Sequence, residues 1–407
     1  MRSRARTGMV LAGVLALGGL AVACQPVAPP APPPPPPSTC DPAAAATPSA
    51  QSPVTYVAVV APHDGAPHQV TAFTATSNAG KDAKVSQLAQ SSTVLAVEPN
   101  LPVHVADVPI NTANYAEFSL QWGLQSAPGG ADFAPAWNAG FTGHGVTVAV
   151  VDTGVDLNHT GLAGNVTAGP DFTTGGTVTG DPYGHGTHVA GIIAADDIPT
   201  GGLGGAPGAT ILAVRVLDAT GSGSSYTVAN GIEWAAQHGA SVINLSLGEV
   251  GCDGVIGQAV LDAHTDGVVV AAAAGNDDSN ELFAPAGYTG EDIAVAALNQ
   301  LRQKASFSNW GTYVAIAAPG QSVLSTCAYT PSCIGSPTAS DTAYGDLSGT
   351  SMATPFVSAA AALVKEECPS FGPDQIKAEL VNHAGAVVPG YTFHSLDAGQ
   401  AVAADCH

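Results

Sequence analysis

Four polar residues, each flanked by small residues, have the types that acyl transfer requires: Asp152, His185, Asn276 and Ser351. A serine hydroxyl becomes a nucleophile when a base accepts its proton, an acid orients that base and hydrogen-bond donors hold the oxyanion. The four residues supply one group for each task. Their conjunction leads to the hypothesis of a serine endopeptidase.

Ser351 lies in the block Gly349–Pro355, where a glycine turn precedes a predicted helix. At a helix start the serine would lie at the positive end of the helix dipole, with its own N–H directed at an oxyanion. Pro355 is predicted in the first turn of that helix, where a missing N–H does little harm. For this block taken alone, an ordinary serine helix cap is the alternative.

His185, between Gly184 and Gly186, is predicted to begin a helix with its ring open to substrate. An imidazole titrates near neutral pH, so it can accept the serine proton and return it to a leaving amine. The alternative is a metal site shared with His188, three residues further on. No glutamate accompanies the pair and no third ligand is near in the sequence, so we expect a structural role for His188.

Asp152 ends an apolar run, so we expect a buried carboxylate that needs a partner, and an imidazole N–H is a suitable one. Its neighbour Asp156 is the alternative, although its local pattern indicates a turn residue that accepts backbone N–H bonds. Asn276 follows a small-residue segment, and its amide can donate to an oxyanion. The alternative for Asn276 is an asparagine that serves a turn.

The elements that must position these residues alternate between apolar runs and helical stretches. The runs are continuous, which is typical of parallel strands covered on both faces; they lie at 146–151, 211–217, 242–247, 268–273, 293–298 and 314–318. Helices are predicted at 185–195, 225–238, 255–266, 351–365 and 373–382. Residues 112–407 are therefore predicted to form a three-layer α/β/α domain with a mostly parallel central sheet. Asp152, Ser246 and Asn276 follow strand runs, and strand ends are where such sheets form sites.

The amino terminus has the pattern of an export signal over residues 1–23: arginines among the first six residues, a short apolar core and a small-residue segment. Cys24 follows directly, where bacterial lipoproteins carry a lipidated cysteine, so lipidation and simple cleavage before Cys24 both stay open. Residues 24–51 are rich in proline and alanine and predict a semi-rigid linker. We expect an exported protein, secreted or tethered to the cell surface, that meets a membrane only through a lipid on Cys24.

Residues 52–111 predict a small α+β module and a linker. Strand-like runs lie at 54–60 and 94–98, and a helix is predicted at 82–90 between them. The Pro-rich residues 99–109 are expected to separate this module from the large domain.

Composition and charge exclude several classes of protein. Hydrophobic residues make up 45% of the 407, which excludes disorder throughout. The whole net charge of −22 falls on residues 112–407, which hold five basic and 27 acidic side chains. Such a surface repels phosphate backbones, so nucleic acid is excluded as a partner.

Three blocks of the chain resemble the signature blocks of the subtilisin-like serine proteases, or subtilases. They are Val150–Asp156, Gly184–Gly191 and Gly349–Pro355. The order Asp, His, Ser is also that of subtilisin and differs from the order in chymotrypsin and the α/β-hydrolases. The resemblance implies that Asp152, His185 and Ser351 form a catalytic triad that works through an acyl-enzyme, and that Asn276 donates to the oxyanion.

Further segments resemble the substrate-binding edges of this family. They are Gly221-Ser222-Gly223, Ser246-Leu247-Gly248 and Ala273-Ala274-Gly275. The resemblance implies that a peptide adds as a strand between the first two, which favours extended or unfolded polypeptides as substrates. The third would wall the pocket for the residue before the cleaved bond and tolerate large apolar side chains. No cofactor is implied for the chemistry, and we expect a monomer.

The module at 54–100 resembles the inhibitory propeptide of the family. This implies that the chain carries its own intramolecular inhibitor, with cleavage between Asn100 and Trp122, and that a lipid on Cys24 tethers only the precursor. Many relatives bind structural calcium, but Gly161 and Ile198 stand where an aspartate and an asparagine ligand are usual. The resemblance thus implies that this calcium site is absent, while other calcium sites stay open.

Seven cysteines in an exported chain predict disulfides. The pairs suggested are Cys327 with Cys333 and Cys368 with Cys406. Cys40 and Cys252 have no obvious partnership, and loss of Cys40 with the propeptide would leave Cys252 as a free thiol.

Two other functions compete with the endopeptidase. A catalytically silent binding domain on a cell-surface tether would gain nothing from keeping all four polar residues. A metal-dependent hydrolase built on His185 and His188 would be inhibited by chelators and indifferent to serine-directed reagents. The acid-acting sedolisins share a similar serine block but use Glu and Asp in place of the histidine motif, so His185 argues against them.

Overall fold

The computed structural model describes residues 54–63, 66–100, 102–105, 120–126, 128–196, 202–288, 290–328 and 344–402, with the backbone alone at 54 and 102–105. Contacts divide the chain into Met1–Pro35, which lies outside the described residues, and Pro36–His407, which contains everything described below. The predicted signal peptide, Cys24 and the Pro-rich linker therefore fall outside the described part. Among the described residues no helix has the length and apolar character needed to cross a membrane.

A small α+β module opens the described chain, as predicted for this region. Its elements are β1 (Val54–Pro62), β2 (Gln69–Ala75), α1 (Asn78–Leu88) and β3 (Ser92–Pro99). The strands form an antiparallel sheet in the order β2-β1-β3. Tyr56 and Ala58 of β1 pack with the side chains of α1, whereas Val57 and Val59 enter a core of the large domain. β2 was not predicted, although polar and apolar residues alternate in it as they do in a strand with one covered face.

A parallel sheet forms the centre of the large domain, as the continuous apolar runs predicted. Within the described residues it has eight strands in the order β17-β14-β13-β11-β9-β5-β7-β6, and each neighbouring pair is parallel. The strands are β5 (Thr147–Asp152), β6 (Val166–Asp171), β7 (Thr210–Arg215), β9 (Val242–Leu245), β11 (Val269–Ala273), β13 (Ile293–Leu298), β14 (Ile316–Pro319) and β17 (His394–Ser395). Only β6 and β17 were not predicted; β6 contains Gly169 and Pro170, which hide its strand pattern.

Helices cover both faces of this sheet. They are α2 (Ala134–Asn138), α3 (His185–Ala194), α4 (Ser225–Gln237), α5 (Gly254–Thr265), α6 (Thr350–Glu367), α7 (Pro373–Asn382) and α8 (Ala398–Val402). Successive residues of a strand point to opposite faces: Val148 and Val150 of β5 pack in the core that contains α3 and α6, and Ala149 and Val151 pack in the core that contains α4 and α5. The fold is therefore a three-layer α/β/α sandwich, as predicted.

A second sheet contains a strand from the segment that was predicted to be a separating linker. Its order is β12-β10-β4-β8. The strands are β4 (Pro102–Val105), β8 (Ser222–Ser224), β10 (Leu247–Val250) and β12 (Phe283–Ala284). The expectation that residues 99–109 only separate two units is thus wrong for 102–105. An antiparallel pair, β15 (Val323–Thr326) with β16 (Tyr344–Leu347), completes the described strands.

Three cysteines lie in the described part of the chain, and each forms a disulfide: Cys252, Cys327 and Cys368. Cys252, for which no partner was suggested, is thus disulfide-bonded in this uncleaved chain. The expectation of a free thiol concerns the chain after loss of Cys40, so it stays a prediction. The suggested partners Cys333 and Cys406, together with Cys40, lie outside the described residues, so the connectivity stays a prediction.

Candidate active site

Asp152 and His185 meet because a strand end and a helix start face each other. Asp152 is the last residue of β5, and His185 begins α3 after Gly184, whose φ of 101° favours glycine. His185 Nδ1 lies 2.8 Å from Asp152 Oδ1, and neither side chain is exposed. A carboxylate at Nδ1 selects the tautomer with the hydrogen there, which leaves Nε2 as a base.

Asp181 connects these two elements, a role that the sequence analysis missed. Its Oδ1 accepts from Thr153 Oγ1 at 2.8 Å and from Gly184 N at 2.7 Å. Its Oδ2 accepts from both N and Oγ1 of Thr187, at 2.8 and 2.7 Å. Burial raises the pKa of Asp181, and these hydrogen bonds act in the opposite direction. An acid four residues before His185, in a Gly-rich turn, was the signal available.

Ser351 is the second residue of α6, at the end of the helix where N–H groups lack helical partners. Its Oγ donates to the carbonyl of Ser246 at 3.1 Å, and Ser246 Oγ donates back to the carbonyl of Ser351 at 2.8 Å. Asn244 Nδ2 donates to Ser246 Oγ at 2.9 Å. This exchange fixes the serine turn against the end of β9.

Pro355 was predicted in the first turn of its helix. The structure places it inside the helix instead, because the helix begins at Thr350. A proline has no N–H, so the carbonyl four residues earlier loses its helical partner. That carbonyl belongs to Ser351 and is the one that Ser246 Oγ contacts. Pro355 therefore opens an acceptor that attaches the serine turn to the neighbouring segment.

Asn276 is oriented through the oxygen of its amide. Asn276 Oδ1 accepts from Thr350 N at 2.9 Å and from Thr350 Oγ1 at 3.1 Å. With Oδ1 engaged by the residue before Ser351, the NH₂ group of the amide remains for other acceptors. The predicted donation of these hydrogens to an oxyanion stays a prediction.

The two predicted edge segments flank a strand of the chain itself. Val103 pairs with Gly223 and His104 with Ser222 on one side, both antiparallel. On the other side His104 pairs with Gly248 and Val105 with Leu247. The strand ends at Val105, one pairing position from Ser246, whose carbonyl contacts Ser351 Oγ. This segment of the chain thus lies between the two edges as an added strand.

Ala273, Ala274 and Gly275 lie at and beyond the end of β11, next to Asn276. Both alanines are fully buried, and Ala273 packs with Phe283. The carbonyl of Ala274 accepts from Tyr313 Oη at 3.1 Å. A pocket wall and its tolerance for large side chains stay predictions.

The alternatives for the candidate residues are explained by local contacts. His188 Nε2 lies 3.0 Å from the carbonyl of Gly345, and burial first of all lowers the pKa of its ring to about 3. A neutral, buried histidine that contacts a carbonyl fits the structural role that was predicted. Asp156 Oδ1 accepts from Asn158 N at 3.0 Å, as a turn carboxylate does.

The segment that lacks a calcium ligand has no room for one. A Cβ added at Gly161 would lie 2.5 Å from Tyr344 Oη and 3.2 Å from Thr326 Cγ2. The ring of Tyr344 also packs edge-on against His159, with 5.6 Å between the ring centres. A carboxylate at position 161 would therefore collide with β15 and β16. Ile198, the other substituted position, lies outside the described residues.

Comparison with known proteins gives the class of this site. A family model described as the subtilase family of peptidases matches residues 143–401. The chain is 44% identical over 266 residues to subtilisin Savinase of Lederbergia lenta, which spans 65% of this chain and 91% of that protein. It is 45% identical over 253 residues to thermitase of Thermoactinomyces vulgaris, or 62% of this chain and 85% of that one.

Solved structures agree with the sequence comparison. A protease from Pseudoalteromonas arctica aligns with a TM-score of 0.64 and 33% identity, over 72% of this chain and 99% of that one. A cold-adapted subtilisin-like serine proteinase aligns with a TM-score of 0.58 and 33% identity, over 68% of this chain and 97% of that one. The chain belongs to the subtilase family. It is a serine endopeptidase with the subtilisin-like fold.

Proposed function

We propose that this chain is the precursor of an exported endopeptidase that cleaves extended or unfolded polypeptides with Asp152, His185 and Ser351. The observation that carries the proposal is the hydrogen bond of 2.8 Å between His185 Nδ1 and Asp152 Oδ1. It gives the histidine the tautomer that a general base needs. The pairing of a strand between β8 and β10 supports an extended peptide as the substrate.

The proposed reaction uses these groups in the following order. The Ser351 hydroxyl gives its proton to His185 Nε2 and attacks the peptide carbonyl, whose oxygen becomes an oxyanion. The amide NH₂ of Asn276 and the N–H of Ser351 stabilise this charge. His185 returns the proton to the leaving amine, and a water molecule then releases the acyl group by the same steps in reverse. No step requires a metal ion or another cofactor.

The small module serves as an intramolecular inhibitor in this proposal, and residues 112–407 as the peptidase domain. Support comes from β4, which pairs with both substrate edges and ends one pairing position from Ser246. Cleavage is expected within a few residues after Val105. The expected bond lies outside the described residues, within the interval between Asn100 and Trp122. Export through residues 1–23, the choice between lipidation and cleavage at Cys24, and a monomeric state are parts of the same proposal.

Replacement of Ser351 by alanine tests the mechanism directly. We expect kcat on an unfolded, reduced protein to fall by about 10⁶-fold, because loss of the nucleophile removes the acyl-enzyme route. The measurement is product formation with terminal sequencing of the fragments, for the wild type and for Ser351→Ala. A chain-length comparison by mass spectrometry also shows whether the module is still attached.

Ser358→Ala provides a matched control on the same helix. Ser358 Oγ donates to Asn244 Oδ1 at 2.9 Å and is fully buried, but it lies two turns further along α6 than Ser351. We expect its loss to reduce stability while cleavage persists. Equal cleavage by wild type and Ser351→Ala would refute the proposed nucleophile.

A further inference from the structure

His68, Glu233 and Asp262 bring three metal-ligating atoms together where the small module meets helices α4 and α5. One ligand atom of each residue lies within 4.8 Å of the other two. His68 lies just before β2 of the module, Glu233 on α4 and Asp262 on α5. His68 Nδ1 directly contacts Asp262 Oδ2. The cluster is therefore shared between the module and the large domain.

Glu233 is the member of the cluster whose buried carboxylate is not fully satisfied by its surroundings. The residue is only 8% exposed, and its Oε1 is buried with no hydrogen-bond partner among the described residues. Its Oε2 accepts from Gln237 Nε2 at 3.3 Å. Burial, followed by the neighbouring Asp262 and Asp266, raises the pKa of Glu233 to about 9. A buried carboxylate beside other acids requires a cation or a proton, and a proton held between Glu233 and Asp262 is the alternative.

The donor set selects the kind of cation. One imidazole nitrogen and two carboxylate oxygens suit Zn²⁺, which forms tetrahedral sites with histidine and acidic ligands. Ca²⁺ takes six to eight oxygen ligands, so it fits this set poorly. Bonds of about 2.1 Å place the ligand atoms of a tetrahedral ion about 3.4 Å apart. His68 and Asp262, which are in direct contact, must therefore separate to admit the ion. The His68 side chain is 34% exposed, which leaves a route for the ion and a fourth position for water.

We infer that His68, Glu233 and Asp262 form a zinc site that holds the small module on the large domain. The ion has its full ligand set only while the module is docked, because the module supplies the histidine. By linkage, zinc then stabilises the docked state over the separated one. Zinc then delays the appearance of protease activity, a consequence that rests on the proposed inhibitory role of the module.

Zinc binding to the full chain carrying Ser351→Ala tests the site without cleavage of the module. Zinc is titrated in competition with a chromophoric chelator, and thermal unfolding is followed with and without zinc. We expect one zinc ion per chain and a higher unfolding temperature. Adding His68→Gln should weaken binding by about tenfold or more and remove the thermal shift, and Glu233→Gln should do the same. Calcium at the same concentration should not produce the shift.

His63→Gln is the matched control, since His63 is an exposed histidine of the same module. It should bind zinc like the parent chain. Equal zinc affinity with and without His68→Gln would overturn the site and would leave the proposed protease untouched.

Activity supplies the second readout. Zinc should delay the rise of activity in the chain with an intact serine, and His68→Gln should abolish the delay. Zinc binding that depends on His68 without any delay would support the site and contradict the inhibitory role of the module. Protease activity in the absence of zinc, while the module is still attached, would also contradict the inhibitory role of the module.

Discussion

At the scale of single residues, Asn276 is held by one end of its amide. Thr350 donates two hydrogen bonds to Asn276 Oδ1, so the donor end has a fixed direction. We predict that Asn276→Ala lowers kcat by about 10²–10³-fold, or about 2.7–4 kcal/mol of barrier, with KM little changed. The reason is that the oxyanion exists in the transition state and not in the bound substrate. Steady-state kinetics on a short peptide ester and amide measure both constants.

Thr350→Ser is the control for this experiment, since serine keeps both donors to Asn276 Oδ1. We expect nearly wild-type kinetics from it. A rise in KM at constant kcat in Asn276→Ala would indicate that the amide binds the ground state, and would contradict the oxyanion role.

At the scale of elements, Asp181 sets the geometry between the end of β5 and the start of α3. Its carboxylate accepts from Thr153 on one element and from Gly184 and Thr187 on the other. An asparagine offers one oxygen and places an NH₂ group against donors. We predict that Asp181→Asn destabilises the fold by about 3 kcal/mol or more. It should also lower the pKa on the acidic limb of kcat/KM, because a displaced Asp152 stabilises protonated His185 less.

Asp171→Asn is a close control, since Asp171 is also buried and accepts several hydrogen bonds at the end of β6, which is separated from β5 by one strand. Thr173 and Thr174 donate to it, and Arg215 lies 3.0 Å away. Its loss should lower the free energy of unfolding with no change in the pH profile. Denaturant unfolding and the pH dependence of kcat/KM separate the two variants. If Asp181→Asn and Asp171→Asn had the same pH profile of kcat/KM, the role of Asp181 would be limited to stabilising the fold.

The sequence predicted elements that have a local pattern. It did not predict elements whose structure depends on contacts with distant parts of the chain. Helix 373–382 and strand 293–298 match their predicted bounds, because apolar spacing and capping lie within the segment. Pro102–Val105 became a strand only because β8 and β10 offer it edges, and a proline-containing segment gives no sign of them. The partner of the Ser351 carbonyl, which Pro355 leaves without a helical N–H, could not be predicted either, because Ser246 lies 109 positions before Pro355 in the chain.

At the scale of the whole molecule, the module and the large domain meet across acidic groups. Glu98 of β3 is 7% exposed and accepts from the N–H of Gly254 at the start of α5. Burial, followed by the charge of Asp253, raises the pKa of Glu98 to about 7. Glu249 lies in the same cluster, and burial together with Asp253 and Glu98 raises its pKa to about 9. No local pattern predicts such an interface, because its members come from separate parts of the chain.

For a module cleaved as proposed, this interface predicts that docking weakens as the pH rises. The pKa of Glu98 is 4.5 in its ordinary state and about 7 when docked, so the docked form holds a proton that the free form has released. Docking is therefore strongest below about pH 4.5 and weakens between pH 4.5 and 7. Above about pH 7, Glu98 contributes little further change. The equilibrium constant for docking should fall on the order of 10²-fold from pH 5 to pH 8.

The release of activity from the processed complex, followed against pH, measures this change in docking. Glu98→Gln keeps an acceptor for Gly254 without a charge and should flatten the profile, while Asp82→Asn, at an exposed acid of the module, should leave it unchanged. A profile that stays steep in Glu98→Gln would assign the pH dependence to other groups.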